Sequence, residues 1–151
     1  MESKVKIKIE RTVEDILLEN GYVTETKNEN LMLVTLKNIE AKIAIIEDNN
    51  KLYFQLDVLP LSEIKDNVNF YKDLLVLNYD LLPLTVAIDT TVEDDNVLII
   101  TTTLESEDLS ENELLVVIGS FEESLGDLIE VLHRYYVDDL KFREGDTFGL
   151  Y

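Results

Sequence analysis

Apolar positions recur along this chain in two periods, and they divide it into elements. Near the start Val5, Ile7 and Ile9 alternate with Lys4, Lys6 and Lys8. Period two predicts a short strand with a basic, wet face. Thr12 and Asp15 then stand three apart, the spacing of a capping box, and predict a short helix holding Ile16, Leu17 and Leu18. Gly21 is placed to stop it, because glycine takes the left-handed backbone that ends a helix. Three strand-like segments follow, Leu31 to Leu36, Ala41 to Ile46 and Leu52 to Val58. Asn38 falls in the first turn between them. Asp48, Asn49 and Asn50 form the second, and residues of this kind tolerate left-handed backbone in a tight hairpin. In the third segment Leu52, Phe54, Leu56 and Val58 alternate with Tyr53, Gln55 and Asp57. One face is expected to be buried and the other wet, as in an antiparallel sheet covered on one side.

Pro60 closes this run. Ser62 is expected to cap a helix whose apolar row is Ile64, Val68, Tyr71 and Leu75. That helix must finish before Pro83, which pushes Leu82 toward extended geometry. Two more strands are predicted, Leu84 to Thr90 and Val97 to Leu104, joined by the acidic turn Glu93 to Asn96. Ser110 and Glu113 form a second capping box. Beyond it Leu114, Ile118, Phe121, Leu125, Leu128, Leu132 and Tyr135 step by alternating fours and threes, which predicts a long amphipathic helix. A strand over Leu114 to Ile118 would break that row. Gly119 and Gly126 lie seven apart, on one side of this helix. Each costs about 1 kcal/mol relative to alanine, so the pair is either a site of close backbone approach or merely tolerated. After it, Leu140, Phe142, Phe148, Leu150 and Tyr151 stand among charges in a tail that folds back or docks elsewhere.

These elements define an α+β fold: an antiparallel five-stranded sheet with helices packed on one face, in the order α-β-β-β-α-β-β-α. The length of 151 residues suits one domain, residues 1–151, with 1–10 and 138–151 as terminal extensions.

Composition changes the picture mainly through charge. Thirty-two acidic residues against 13 basic ones give a formal net charge of −19. Such a surface repels phosphate backbones and anionic lipid, which argues against nucleic acid as a ligand. It would attract and steer a partner with a basic face. Hydrophobic residues make up 46%, enough to close a core, so the charge does not imply disorder. Cysteine is absent, which removes disulfides, thiolate nucleophiles and thiolate metal sites. The first residues carry no continuous apolar segment and no stretch is long enough to span a bilayer, so a cytoplasmic location without membrane insertion is expected.

Catalytic and metal chemistry find little support. His133 is the single histidine, and Ile129, Glu130, Tyr136 and Val137, its neighbours on the helix face, make no ligand set. Ser120 follows Gly119 but lacks the flanking glycines of a nucleophile elbow. Asp108, Ser110 and Asn112 resemble the opening of a calcium loop. Glu113 then stands where that loop needs glycine, and Gly119 where it needs glutamate. No catalytic, metal or cofactor-binding residues are assigned. Lys4, Lys6, Lys8 and Arg11 form the one local basic cluster, and lysines at a sheet edge discourage strand addition.

The stretch from Lys51 to Asp89 resembles the YjfI-like family of uncharacterised bacterial proteins. The matching residues are the Leu59-Pro60-Leu61-Ser62 junction, Leu74-Leu75 with Asn78 at the helix end, and Leu82-Pro83-Leu84 entering a strand. More distantly, the order of elements is similar to the type III secretion chaperone-like fold, which includes YbjN-like proteins. The resemblance implies a curved antiparallel sheet backed by helices, often dimeric, that binds other polypeptides. It also implies an association with PspA-type membrane-stress proteins.

The expected function is therefore non-enzymatic: a chaperone- or adaptor-like module that binds another protein and forms a homodimer. The candidate partner surface comprises Tyr53, Gln55 and Asp57 on the wet sheet face with Gly119 and Gly126 on the long helix. Two other readings remain. One is a domain that senses a small molecule between sheet and helices. The other is a small hydrolase assembled from His133, Asp57 and Ser120.

Overall fold

A computed structural model describes residues 6–7, 11–65, 67–91 and 95–135. A two-residue ladder pairs β1 (Lys6–Ile7) with β2 (Arg11–Thr12). The remainder of the Lys4 to Ile9 alternation, and the tail from Val137 to Tyr151, lie outside the described residues.

Helix α1 (Val13–Glu19) is framed as its sequence predicts. The Thr12 hydroxyl accepts from the Asp15 amide at 3.1 Å, and the Asp15 carboxylate accepts from the Thr12 amide at 3.2 Å. At the other end Gly21 adopts φ +83°. Its N–H donates to the Leu18 carbonyl, and that of Tyr22 donates to the Leu17 carbonyl at 2.9 Å. This is the paired bonding of a Schellman turn, which satisfies carbonyls the helix cannot.

The strands are β3 (Val23–Thr26), β4 (Leu31–Thr35), β5 (Lys42–Asp48), β6 (Lys51–Pro60), β7 (Thr85–Asp89) and β8 (Val97–Glu105). They form one antiparallel sheet in the order β3-β4-β5-β6-β8-β7. The sheet therefore has six strands where five were expected, and the element order gains a strand after α1. The missed strand, β3, is short and mostly polar. Only Val23 carries an apolar signal, and that side chain is exposed. Pairing with β4 creates this strand, not its own pattern. The β5–β6 turn is the tight hairpin expected, with Asn49 and Asn50 at φ 49° and 63°.

Helix α2 (Asn67–Leu81) precedes β7, and α3 (Glu111–Leu132) follows β8. Buried residues of all three helices join one cluster with Ile43, Ile45, Phe54, Leu56, Val86, Leu98 and Ile100 from one side of the sheet. The α3 row predicted from spacing is fully inside, from Leu114 to Leu132, with Tyr135 half-buried at its end. Phe121 of that row meets Phe54 of β6 at a ring distance of 6.3 Å. The Ser110 hydroxyl caps α3 by accepting from the Glu113 amide at 3.1 Å. From the outer side of α3, Glu122 accepts from the Lys37 amide and the Asn38 side chain, both at 2.7 Å, and so fastens the β4–β5 turn.

Candidate protein-binding face

Helix α2 carries two apolar rows, and the fold buries the one that spacing alone did not favour. Phe70, Leu74 and Leu81 are buried, and Leu77 is partly so. The expected row lies about 130° around the helix, at 100° per residue, and it faces outward. Val68 is 80% exposed and Leu75 72%, and Tyr79 (82%) extends the row, with Leu82 (67%) exposed just past the end of the helix. Tyr71 of the same row is exposed on one side, and Val76 stands beside it. The physical reason is the phenols. Burying the second row would take the hydroxyls of Tyr71 and Tyr79 out of water, and each would then need a partner. The buried row carries only phenylalanine and leucine. Ile64 is buried but precedes the helix, and Ser62 does not cap it: its hydroxyl donates to Asp95 at 2.7 Å.

The outward row borders a groove. Tyr71, Leu74, Leu75 and Asn78 of α2 line one wall; Val86, Ala87 and Ile88 of the edge strand β7 line the other. The groove holds about 240 Å³. At its floor Asn78 acts as a substitute strand. Its side-chain oxygen accepts from the Val86 N–H at 2.6 Å, and its amide donates to the Val86 carbonyl at 3.2 Å. These are outward-facing groups of β7, so the middle of this edge is already occupied. A partner that settles here meets side chains, not an open ladder.

The chain end of α3 is pinned to α2 behind this groove. Tyr135 sits edge-on to Phe70 at 5.4 Å, and its hydroxyl donates to Asp73. Arg134 pairs with the same carboxylate at 3.3 Å. The Lys65 amide donates to the Tyr135 carbonyl at 2.9 Å.

The residues expected to form the partner surface are not brought together in this way. Tyr53 stands exposed on the sheet face away from the helical core. Gln55 is half-buried there, and Asp57, expected to be wet, is only 6% exposed. The Gln55 amide donates to Asp57 at 2.9 Å and reaches Asp89 at 3.4 Å, which explains how a carboxylate can sit so deep. The Asp89 carboxyl is held below its ordinary value, first by the Thr91 hydroxyl, then by the Thr91 amide and Gln55. Gly119 is exposed and Gly126 half-buried, and a Cβ added to either would meet nothing within 4 Å. No close backbone approach within the described chain demands them.

His133, Asp57 and Ser120 do not converge. Asp57 lies on the opposite side of the sheet from α3. Ser120 and His133 both belong to the α3 region but are about 20 Å apart along it, at 1.5 Å per residue. The Ser120 hydroxyl donates to the Val116 carbonyl at 2.7 Å. Among the described residues no cluster of His, Asp or Glu could hold a metal ion, and no helix is long and apolar enough to cross a membrane. A second cleft, between Glu14, Asn30 and Glu47, holds about 40 Å³. Burial there raises the Glu47 carboxyl above its ordinary value. Neither cleft reaches the ~300 Å³ at which small-molecule sites begin.

No family model matches the chain, and no curated protein matches it. Among solved structures it is similar to YbjN from E. coli, described as a proposed transcription regulator. The TM-score is 0.60 over 83% of this chain and 93% of that one, at 14% identity. The narrower resemblance to the YjfI-like family has no family model behind it. At such identity the likeness speaks to architecture and not to activity. The three helices, the six-stranded antiparallel sheet and this comparison together give the chain a YbjN-like α+β fold.

Proposed function

We propose that this protein is a non-enzymatic binding module that docks another polypeptide on the outward face of α2 and the groove beside β7. The observation that carries this reading is the second apolar row of α2. Four large side chains at helical spacing, with Leu82 just past the helix end, face water beside a preformed groove, and soluble proteins rarely expose such contiguous surface without use for it. The mode is side chains into a groove, because Asn78 already occupies the middle of the β7 edge. The net charge of −19 favours partners with basic faces and opposes direct contact with nucleic acid. Any regulatory role of the kind proposed for YbjN would then run through protein contacts. A membrane-stress protein of the PspA type is one partner consistent with the sequence resemblance.

A photo-crosslinking residue at Leu75 in the full chain, expressed in cells, tests the reading. Adducts with protein are expected from Leu75 and not from Glu123, an exposed position on α3. If Leu75 and Tyr79 both give no adduct, the α2 face is not a docking site and the proposal is wrong.

A further inference from the structure

We infer that the Asn20–Gly21 pair is a covalent modification site, where Asn20 loses its side-chain amide through a succinimide, and that the fold sets the rate. The inference concerns the end of α1 and does not depend on the α2 face.

The sequence supplies the reactive pair. Asn20 is followed by glycine, whereas each of the other asparagines is followed by a residue larger than alanine, such as Glu29 after Asn28 or Tyr79 after Asn78. The step is an attack of the Gly21 backbone nitrogen on Cγ of Asn20. Glycine has no Cβ to obstruct that approach. The new N–C bond closes a five-membered ring, the Gly21 nitrogen gives up its proton, and the side-chain nitrogen leaves as ammonia. Water then adds to one of the two ring carbonyls. Opening on one side leaves aspartate. Opening on the other leaves isoaspartate, in which the chain runs through the side-chain carbon. Overall one water enters and one ammonia leaves, with no oxidation or reduction. Gly21 is exposed and Asn20 half-buried, so water and hydroxide reach both.

The fold holds the pair in an unreactive arrangement. Asn20 caps α1 at φ −98° and ψ 15°. Its side-chain amide donates to the Ile16 carbonyl at 2.7 Å and to the Glu111 carboxylate of α3 at 3.3 Å. The Gly21 N–H donates to the Leu18 carbonyl at 3.1 Å, which turns the attacking nitrogen back into the helix. From the β4–β5 turn the Lys37 ammonium donates to the Asn20 carbonyl at 2.6 Å. For Cγ and the nitrogen to meet, the side chain must leave both acceptors and Gly21 must leave Leu18. Three hydrogen bonds therefore open before the ring can close. Each biases an equilibrium by roughly fivefold, so the folded chain should react about a hundredfold more slowly than the unfolded one.

The product cannot return to that arrangement. Where the amide donated to Ile16 and Glu111, aspartate sets an oxygen against a carbonyl and a carboxylate, acceptors with no proton between them. Isoaspartate lengthens the backbone before Gly21 by one atom, so the Gly21 and Tyr22 N–H groups lose their register with the Leu18 and Leu17 carbonyls. Either way the Schellman turn opens, and with it the hydrogen bond from α1 to α3. The site turns the time that this helix end spends open into a permanent mark beside β3.

The full chain held at mildly alkaline pH, folded in buffer or unfolded in guanidinium chloride, tests this. Peptide mapping by mass spectrometry follows the mass gain of an amide becoming a carboxyl. An isoaspartyl-specific carboxyl methyltransferase with a labelled methyl donor reports the isoaspartate. The mark is expected at Asn20 in both states, about a hundredfold slower in buffer. Glu111→Ala removes one tether and should speed the folded rate about fivefold. Glu111→Gln, which keeps an acceptor oxygen, should stay near wild type. Denaturant titrations of the same variants separate a faster local opening from a loss of global stability. Asn20→Asp should quicken hydrogen exchange at the Gly21 and Tyr22 amides and leave that of Phe54 in β6 unchanged. No modification at Asn20 in the unfolded chain overturns the inference. So do equal rates in the two states, or a Glu111→Ala rate that follows global stability alone.

Discussion

Removing the Asn78 side chain should loosen the edge of the sheet by a measurable and specific amount. Asn78 satisfies both the N–H and the C=O of Val86, at 2.6 Å and 3.2 Å, in a partly buried setting. A hydrogen bond of this type contributes about 1 kcal/mol net, so Asn78→Ala should cost about 2 kcal/mol. For a chain of this length that is a fall in Tm of about 4–8 °C. Asn78→Asp separates the two contacts. One carboxylate oxygen still accepts from the Val86 N–H, but the other faces the Val86 carbonyl where a donor stood. At neutral pH the aspartate should be no better than alanine, and it should improve as pH falls toward the carboxylate range, where a proton restores a donor. Urea denaturation read by circular dichroism gives the free energies. Hydrogen exchange at the Val86 amide reports the local opening, which should speed up in Asn78→Ala more than exchange in β6. A loss under about 0.5 kcal/mol, together with unchanged Val86 exchange, would refute the claim that this side chain closes the edge. An opened β7 should also make the variant more prone to strand addition and aggregation.

Three further outcomes follow from the packing and the charges. Gly126→Ala should stabilise the fold by about 1 kcal/mol, because a Cβ meets nothing within 4 Å and alanine is the better helix former; urea midpoints check it. Phe121→Ala, at the centre of the core against Phe54, should cost about 3–5 kcal/mol, much of the stability of an ordinary domain, as read from the same titrations. The Asp89 carboxyl should titrate below its ordinary value of 3.8 in an NMR pH series, and Thr91→Val should move it upward. Since the folded state depresses this carboxyl, whatever stability it adds is present above the ordinary value and lost as pH falls through the depressed one; an unmoved midpoint in Thr91→Val would show that Thr91 is not the cause.

Much of the fold was legible in the sequence because it rests on local rules. Thr12 with Asp15 and Ser110 with Glu113 place helix starts through side chains that satisfy nearby amides. Gly21, Asn49 and Asn50 take positive φ where the chain must turn. The α3 row from Leu114 to Leu132 is inside because no competing apolar row exists on that helix for the sheet to choose. What tertiary structure alone decided falls where local signals were weak or doubled. Strand β3 is set by its pairing with β4, since one apolar residue in four cannot announce a strand. Asp57 looked like a wet alternate position, but it is buried on that face with Gln55 donating to its carboxylate. On α2 the spacing pointed to Val68, Tyr71 and Leu75, yet Phe70, Leu74, Leu77 and Leu81 recur at the same period, and periodicity cannot say which of two such rows faces inward. The sheet took the row without hydroxyl groups. The other was left in water, and the candidate binding face is the consequence of that choice.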